Sequence, residues 1–257
     1  MRYSGPSMYA LDDLKSVIED TKILGEIDAG SNGWVVSGTH TKSGLPVLAG
    51  DSHRGLEVPN VYYQIHLSTA GLEILGYSIP GMPMVLHFCH NQYVCWGMTH
   101  GGIDTQDLFV EQFKIDEGVL KYLFKNKWKA ADIKNELIQI AEKPPKPIDV
   151  IKTHHGPIIA GDPYQGIGIS LADPGAMEGT FWIDAAYKAM KSKSSSDLQE
   201  ALRGWTDRVN NYPYADVNGN FGYMLRGRIP KRDKRNGFGP VAGWTGENEW
   251  DGKKSQN

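Results

Sequence analysis

Cysteine is all but absent: Cys89 and Cys95 are the only two in 257 residues. Two thiols cannot make a disulfide framework, and by themselves they do not fix a redox compartment. Long apolar runs are missing too, since none approaches the roughly 18 residues a membrane-spanning helix needs. Neither charge is in excess. The 27 Lys+Arg against 30 Asp+Glu leave a formal net charge of −3, so no basic face argues for nucleic acid or an anionic membrane as partner. The opening residues MRYSGPSMYALDDLKS lack the basic start and apolar stretch of a secretory signal. No internal repeat or low-complexity linker marks a domain boundary.

Glycine, by contrast, is abundant at 30, and 14 Pro, 12 Tyr and 7 Trp accompany it, a mixture that suits strands and turns better than a helical bundle. Residues 9–24 place Leu11, Leu14, Val17, Ile18 and Ile23 at roughly helical spacing. DAGSNG (28–33) is a glycine-flanked turn signal, and WVVSGTHTKSGLPVLAGD reads as two strands joined at Lys42-Ser43-Gly44. VYYQIHLS (61–68) and the stretch from Met84 to Trp96, broken at His90-Asn91-Gln92, read as further strands. Segments 136–142 and 148–154 alternate around PPKP as a strand pair, although 128–141 also admits a helix. A helix is predicted over 181–192, and another from Ser196, with Gln199 completing a capping box, to about Val209. A last strand pair flanks Asn218-Gly219. The pattern is one α+β domain. The chain stops in the polar tail EWDGKKSQN, and neither end reads as a packed element, so an internal piece of a longer precursor is expected.

Chemistry is first indicated at Gly30-Ser31-Asn32-Gly33-Trp34. This is not a nucleophile elbow, because Gly-x-Ser-x-Gly needs a strand before the serine and a helix after it, and here a strand follows. A different serine chemistry fits that order. If the Gly30–Ser31 peptide bond is cut, Ser31 becomes a chain terminus with both a hydroxyl and a free α-amine. That amine, ordinarily titrating at about 7.7–8.0, can take the hydroxyl proton directly or through one water. Gly30 leaves the cut site uncrowded and admits a strained turn that favours attack on its own carbonyl.

The run Gly-Ser-Asn-x-Trp-Val-Val-Ser-Gly, followed by Gly-x-Pro-Val-Leu-Ala-x-Asp-x-His (44–53), resembles the start of the β-chain of penicillin acylases, which are N-terminal-nucleophile hydrolases. The likeness continues through Pro59-Asn60-Val61-Tyr62-Tyr63, His90-Asn91, Val94-Cys95-Trp96-Gly97, Asp104-Thr105-Gln106-Asp107-Leu108, His155-Gly156-Pro157, 214–223 and Gly243-Trp244. The resemblance implies an αββα sandwich of stacked antiparallel sheets between helical layers, incomplete in these residues. It also implies a precursor cut into an α-chain and a β-chain that remain together, and export to the periplasm or beyond. Residues 1–30 would be the remnant of the α-chain and spacer, and 31–257 the first part of the β-chain. The reaction implied is hydrolysis of acylated amines such as penicillins, cephalosporins or acyl-homoserine lactones, with no organic cofactor.

Several roles carry over by the resemblance. Ser31 matches the self-released nucleophile and His53 the histidine beside it, where it would tune the amine or hydrogen-bond the serine. His100 matches the position whose backbone N–H stabilises the oxyanion, a contribution of roughly 3–4 kcal/mol. The family's second donor, an asparagine in a later segment, lies beyond residue 257. Arg54 and Phe88 sit where relatives line the acyl pocket, and an arginine in place of the usual aromatic argues against phenylacetyl preference. Asp104, Gln106 and Asp107, with a carbonyl near Gly237, match a structural calcium site.

Other constellations compete. A truncated, catalytically silent domain is the alternative from another class. His87, Cys89, His90, Cys95 and His100 make a dense run of metal-ligand types, but strand alternation splits His87 and Cys89 from His90, and C-x5-C is not a usual zinc spacing. Asp216-Val217-Asn218-Gly219-Asn220 begins like an EF-hand, yet Phe221 stands where glycine is needed and Gly227 where a bidentate glutamate belongs. Arg226–Arg235 reads as a solvated basic loop, and His154-His155 as a strand end without an assigned role.

Overall fold

The computed structural model describes residues 12–16, 30–178, 182–206 and 208–252. The chain divides into two compact units. Unit A comprises Glu26–Ile103, Gly179–Ile229 and Lys254–Asn257, and unit B comprises Met1–Gly25, Asp104–Glu178 and Pro230–Lys253. Unit A opens with β1 (Gly30–Val36), β2 (Val47–His53), β3 (Tyr63–Thr69), β4 (Leu72–Ser78), β5 (His87–Asn91), β6 (Val94–Trp96) and β7 (Thr99–His100). Unit B supplies β8 (Asp107–Asp116), β9 (Val119–Phe124), β10 (Lys127–Ala130), β11 (Asp132–Ile140), β12 (Lys143–Thr153), β13 (Gly156–Asp162), β14 (Ile167–Ala172) and α1 (Pro174–Glu178). The chain then returns to unit A for α2 (Trp182–Met190), α3 (Ser195–Ala201), β15 (Asn210–Asp216) and β16 (Phe221–Arg226), and ends in unit B with β17 (Val241–Ala242).

In unit A, β1 and β2 form an antiparallel ladder, and the larger sheet runs β16-β15-β6-β5-β4-β3 with β7 also on β15. Its buried face carries Ile74, Cys89, Val94, Trp96, Tyr212 and Met224. Against them lie Ala185, Ala186, Ala189 and Met190, one stripe of α2, with Leu198 of α3. The expected α2 and the strands of 61–96 are present. The next helix departs from expectation at both ends. Its cap is Ser194, whose hydroxyl accepts from the Asp197 amide, while the Asp197 carboxylate accepts from the Lys193 amide. After Ala201 only one 3₁₀ turn follows, because Trp205 turns into the core between Trp182 and Tyr212 instead of continuing the helix to Val209.

Unit B is a sheet in the order β10-β9-β8-β14-β13-β12-β11, antiparallel throughout except for β17, which lies parallel on β8. Strand β8 buries alternate residues, Asp107, Phe109, Glu111 and Phe113, so two carboxylates point into the interior. The expected hairpin exists, and the helical alternative over 128–141 does not. Its turn is Ala141–Glu142 and not PPKP, with Glu142 at φ +59°. The prolines fit inside β12 because that part pairs with β11 alone, and β13 joins only at Lys152 and Thr153. Residues 12–16 are helical, as expected, and Leu14 packs on Ala160 and Ile169; the remainder of 9–24 lies outside the described residues. Among the described residues, no helix is long and apolar enough to cross a membrane.

Candidate active site

The segment expected as a turn at 28–33 is extended from Gly30 onward, residues 28 and 29 lying outside the description. The β1–β2 register pairs it along its whole length: Gly30 faces His53, Ser31 faces Ser52, and Gly33 faces Gly50. Residues directly opposite in such a ladder share a face, so the Ser31 and Ser52 side chains emerge together. That face is the half-buried one, carrying Ser31, Gly33 and Val35, whereas Gly30, Asn32 and Trp34 are exposed.

Two glycines let this face close on its neighbours. A Cβ on Gly33 would stand 3.0 Å from Pro213 of β15 and 3.4 Å from Thr99 of β7. A Cβ on Gly50 would fall 1.9 Å from the Phe88 ring, well inside contact distance. Phe88 itself is held at φ +43°, a left-handed conformation that costs a non-glycine residue about 1–3 kcal/mol and tends to occur at functional sites. The Ser31 face is thus brought against the strand carrying His100 and against Phe88.

Ser52 lines a cavity of about 320 Å³ together with Arg54, Asn60, Tyr62, His87 and Phe88. Both residues expected in the acyl pocket are there. The Arg54 guanidinium lies 5.8 Å over the Tyr62 ring and donates to its hydroxyl at 3.5 Å. His87 stacks on Tyr62 at 4.5 Å and sits 2.5 Å from the Ser52 hydroxyl. Burial, reinforced by the Arg54 charge, lowers the His87 pKa to about 4. The ring is therefore neutral and shares one hydrogen bond with the Ser52 hydroxyl through Nε2, while its other nitrogen, Nδ1, is buried without a partner. The Ser52–His87 pair had no signal in the sequence, where His87 stands out only as a metal-ligand type and no register places Ser52 opposite Ser31.

His53 occupies the opposite, exposed face of the ladder. Its ring lies along the Gly30 backbone, 3.0 Å from where a Gly30 Cβ would be, and Nε2 accepts from the Asn32 amide at 3.1 Å. It thus addresses the Gly30–Ser31 peptide, where the amine would appear, and not the face bearing the hydroxyl. The His100 side chain is exposed and its backbone is fixed from β15. Asn211 donates to Thr99 Oγ1 (2.9 Å) and to the His100 carbonyl (3.0 Å), and Tyr223 in turn donates to Asn211 at 2.6 Å. Asn211 carried no signal in sequence, and Tyr223 stood out only as the last residue of the motif at 214–223.

Asp104, Gln106 and Asp107 do converge, in unit B, but on an arginine. Arg232 donates to the Asp104 carboxylate (2.8 Å), the Asp104 carbonyl (3.1 Å), the Gln106 carbonyl (2.9 Å) and Asp107 Oδ1. Asp107 Oδ2 accepts from Trp250 at 2.6 Å and Asn236 at 3.2 Å. Although burial works against its charge, these carboxylates hold the Arg232 pKa above the ordinary value. With a fixed cation already bonded to all three expected donors, the residues present do not fit a calcium ion. The solvated basic loop is corrected by the same contacts, with Arg232 tied into this cluster and Arg226 buried at the end of β16. The Cys/His run does not assemble either: His87 and Cys89 turn inward, His90 outward, and burial raises the pKa of both thiols.

Comparison with known proteins decides the family. The penicillin amidase family model matches residues 6–256. The chain belongs to the penicillin amidase family. Within it, the chain is 36% identical over 223 residues to penicillin acylase 2 proenzyme of Pseudomonas sp. (strain SE83), a match covering 87% of this chain and 29% of that protein. It is 28% identical over 251 residues to acyl-homoserine lactone acylase QuiP of Pseudomonas fluorescens (strain Pf0-1), covering 96% and 30%. The solved structure of a thermostable penicillin G acylase from Alcaligenes faecalis superposes with a TM-score of 0.73 at 25% identity, over 87% of this chain and 40% of that one. The expected N-terminal-nucleophile α+β fold of this family is therefore the observed one. The chain spans under a third of the length of each of the two Pseudomonas acylases.

Proposed function

We propose that the protein hydrolyses the amide bond of N-acylated amines, with Ser31 as the nucleophile after self-cleavage behind Gly30. The observation that carries this reading is the β1–β2 register, which puts Ser31 on the same face as Ser52 and so beside the Arg54–Phe88 cavity. Family membership supports the reaction class. In maturation, Ser31 Oγ attacks the Gly30 carbonyl, the peptide nitrogen takes the proton and leaves as the α-amine, and water hydrolyses the resulting ester to a Gly30 carboxylate. In turnover, the α-amine takes the Ser31 hydroxyl proton as Oγ attacks the substrate carbonyl, and passes it to the departing amine. The His100 N–H would hold the developing oxyanion. Water then releases the acid from the acyl-serine. His53, beside the Gly30 backbone, would act on the amine.

The acyl group is assigned to the cavity. Its guanidinium, histidine and tyrosine lining suits an acyl chain with polar atoms better than a bare phenyl ring, so phenylacetyl amides would be the poorer substrates. The partner is the protein's own α-chain. Leu137, Ile138 and Ile140 of β11, 62%, 46% and 39% exposed, are apolar surface that such a chain would cover. Export to the periplasm or beyond completes the proposal.

Mass spectrometry of the full-length protein tests it. A new amino terminus at Ser31 is expected, absent in Ser31→Ala, together with turnover of chromogenic acyl amides by the cut form alone. An uncut protein that turns over these amides sinks the proposal.

A further inference from the structure

Away from Ser31, in unit B, two adjacent histidines form the turn between β12 and β13 and meet Glu249. One ligand atom from each of His154, His155 and Glu249 can be chosen so that all three lie within 4.8 Å of one another. His155 Nε2 is 2.9 Å from Glu249 Oε1, and His154 Nε2 is 3.4 Å from Glu249 Oε2. A tetrahedral ion with bonds of about 2.0–2.2 Å separates its ligand atoms by roughly 3.3–3.5 Å, so the His154–Glu249 spacing already matches, the His155–Glu249 pair opens by a few tenths of an ångström, and the widest pair closes from at most 4.8 Å.

The surroundings are those of a prepared site. His155, 4% exposed, is held through its other nitrogen by Glu111 Oε1 at 2.7 Å, and Glu111, wholly buried, is fixed in turn by Thr153 and Ser170, each at 2.8 Å. A carboxylate on the far nitrogen is the usual way of setting the tautomer and raising the basicity of a metal-binding histidine. Aromatic rings set the planes. Phe109 stacks on His155 at 3.8 Å, and Tyr122 and Phe124 flank His154 at 5.5 and 4.2 Å. A second observation is a deficit: His154 Nδ1 and Glu111 Oε2 are buried without a hydrogen-bond partner. Charge points the same way. Glu111, wholly buried, and Glu249, 30% exposed, place two carboxylates around His155, and a divalent ion balances them.

The geometry points to a divalent-metal site, best matched by zinc, made by His154 Nε2, His155 Nε2 and a Glu249 carboxylate oxygen, with Glu111 as the orienting partner and a fourth position for water. The ion would pin the β12–β13 turn to the loop after β17.

The test is titration of the chelator-stripped full-length protein with Co²⁺. One equivalent is expected to produce the visible bands of a four-coordinate nitrogen/oxygen set, bleached by Zn²⁺. His154→Ala should abolish the bands while far-ultraviolet circular dichroism stays native, and Glu111→Gln should weaken binding by roughly 10–100-fold. Glu249→Gln serves as the second ligand variant should His154→Ala not fold. Absence of the bands in the wild-type protein, or their survival in a folded ligand variant, overturns the site.

Discussion

Asp216 shows how a failed motif becomes a structural residue. Its Oδ1 accepts from the amides of Asn218 and Asn220, which closes the Asn-Gly hairpin. Its Oδ2 accepts from the Ser195 amide and hydroxyl, which ties α3 to β15. Burial disfavours the charge, but these donors win and lower the carboxyl pKa to about 2. Because the folded value lies below the ordinary 3.8, the stabilisation is complete above about pH 4 and is lost as pH falls toward 2. Asp216→Asn is expected to cost about 2–4 kcal/mol at neutral pH, and its urea midpoint should fall less steeply between pH 4 and 2 than that of the wild type, Glu249 keeping its own share of the acid dependence. Spacing alone excludes an EF-hand at this aspartate, but no pattern in the chain foretells that Ser195, 21 positions away, shares its carboxylate.

At the scale of elements, the strand pairs were legible because period-two alternation and turn residues are local properties. The register was not. DAGSNG reads as a turn by composition, yet pairing with β2 extends Gly30 to Gly33, and only that pairing brings Ser31 opposite Ser52. The contact of β2 with β5 tests the site's architecture. Gly50→Val would drive a side chain into the Phe88 ring, so we expect loss of acylase turnover of at least tenfold with the cut at Ser31 still made, measured by parallel mass spectrometry and amide hydrolysis. The start of β8 offers a second test. Removing one partner of a buried ion pair leaves the other uncompensated, so Arg232→Gln should lower stability by about 3–5 kcal/mol by chemical denaturation.

For the molecule as a whole, two interleaved units mean that the chain leaves unit A after Ile103, builds most of unit B, and comes back. Calcium is the whole-protein property at issue. Since Arg232 already engages Asp104, Gln106 and Asp107, millimolar Ca²⁺ should not raise the melting temperature of the chelator-stripped protein, as read by differential scanning calorimetry. A Ca²⁺-dependent rise, absent with Zn²⁺, would show that calcium displaces the arginine.

Sequence alone determined the class of this protein: the strand-rich α+β character and the family, and it singled out the serine proposed above as attacker and base. Those features are written in local pattern and in the order of short motifs. The tertiary structure alone decided which charges share a site. Arg232 joined oxygens more than a hundred positions away, burial kept His87 neutral beside Ser52, and Glu249 reached the adjacent histidines. Electrostatic partnership depends on distance through space and on the loss of water around buried groups, and neither quantity exists until the sheets have formed.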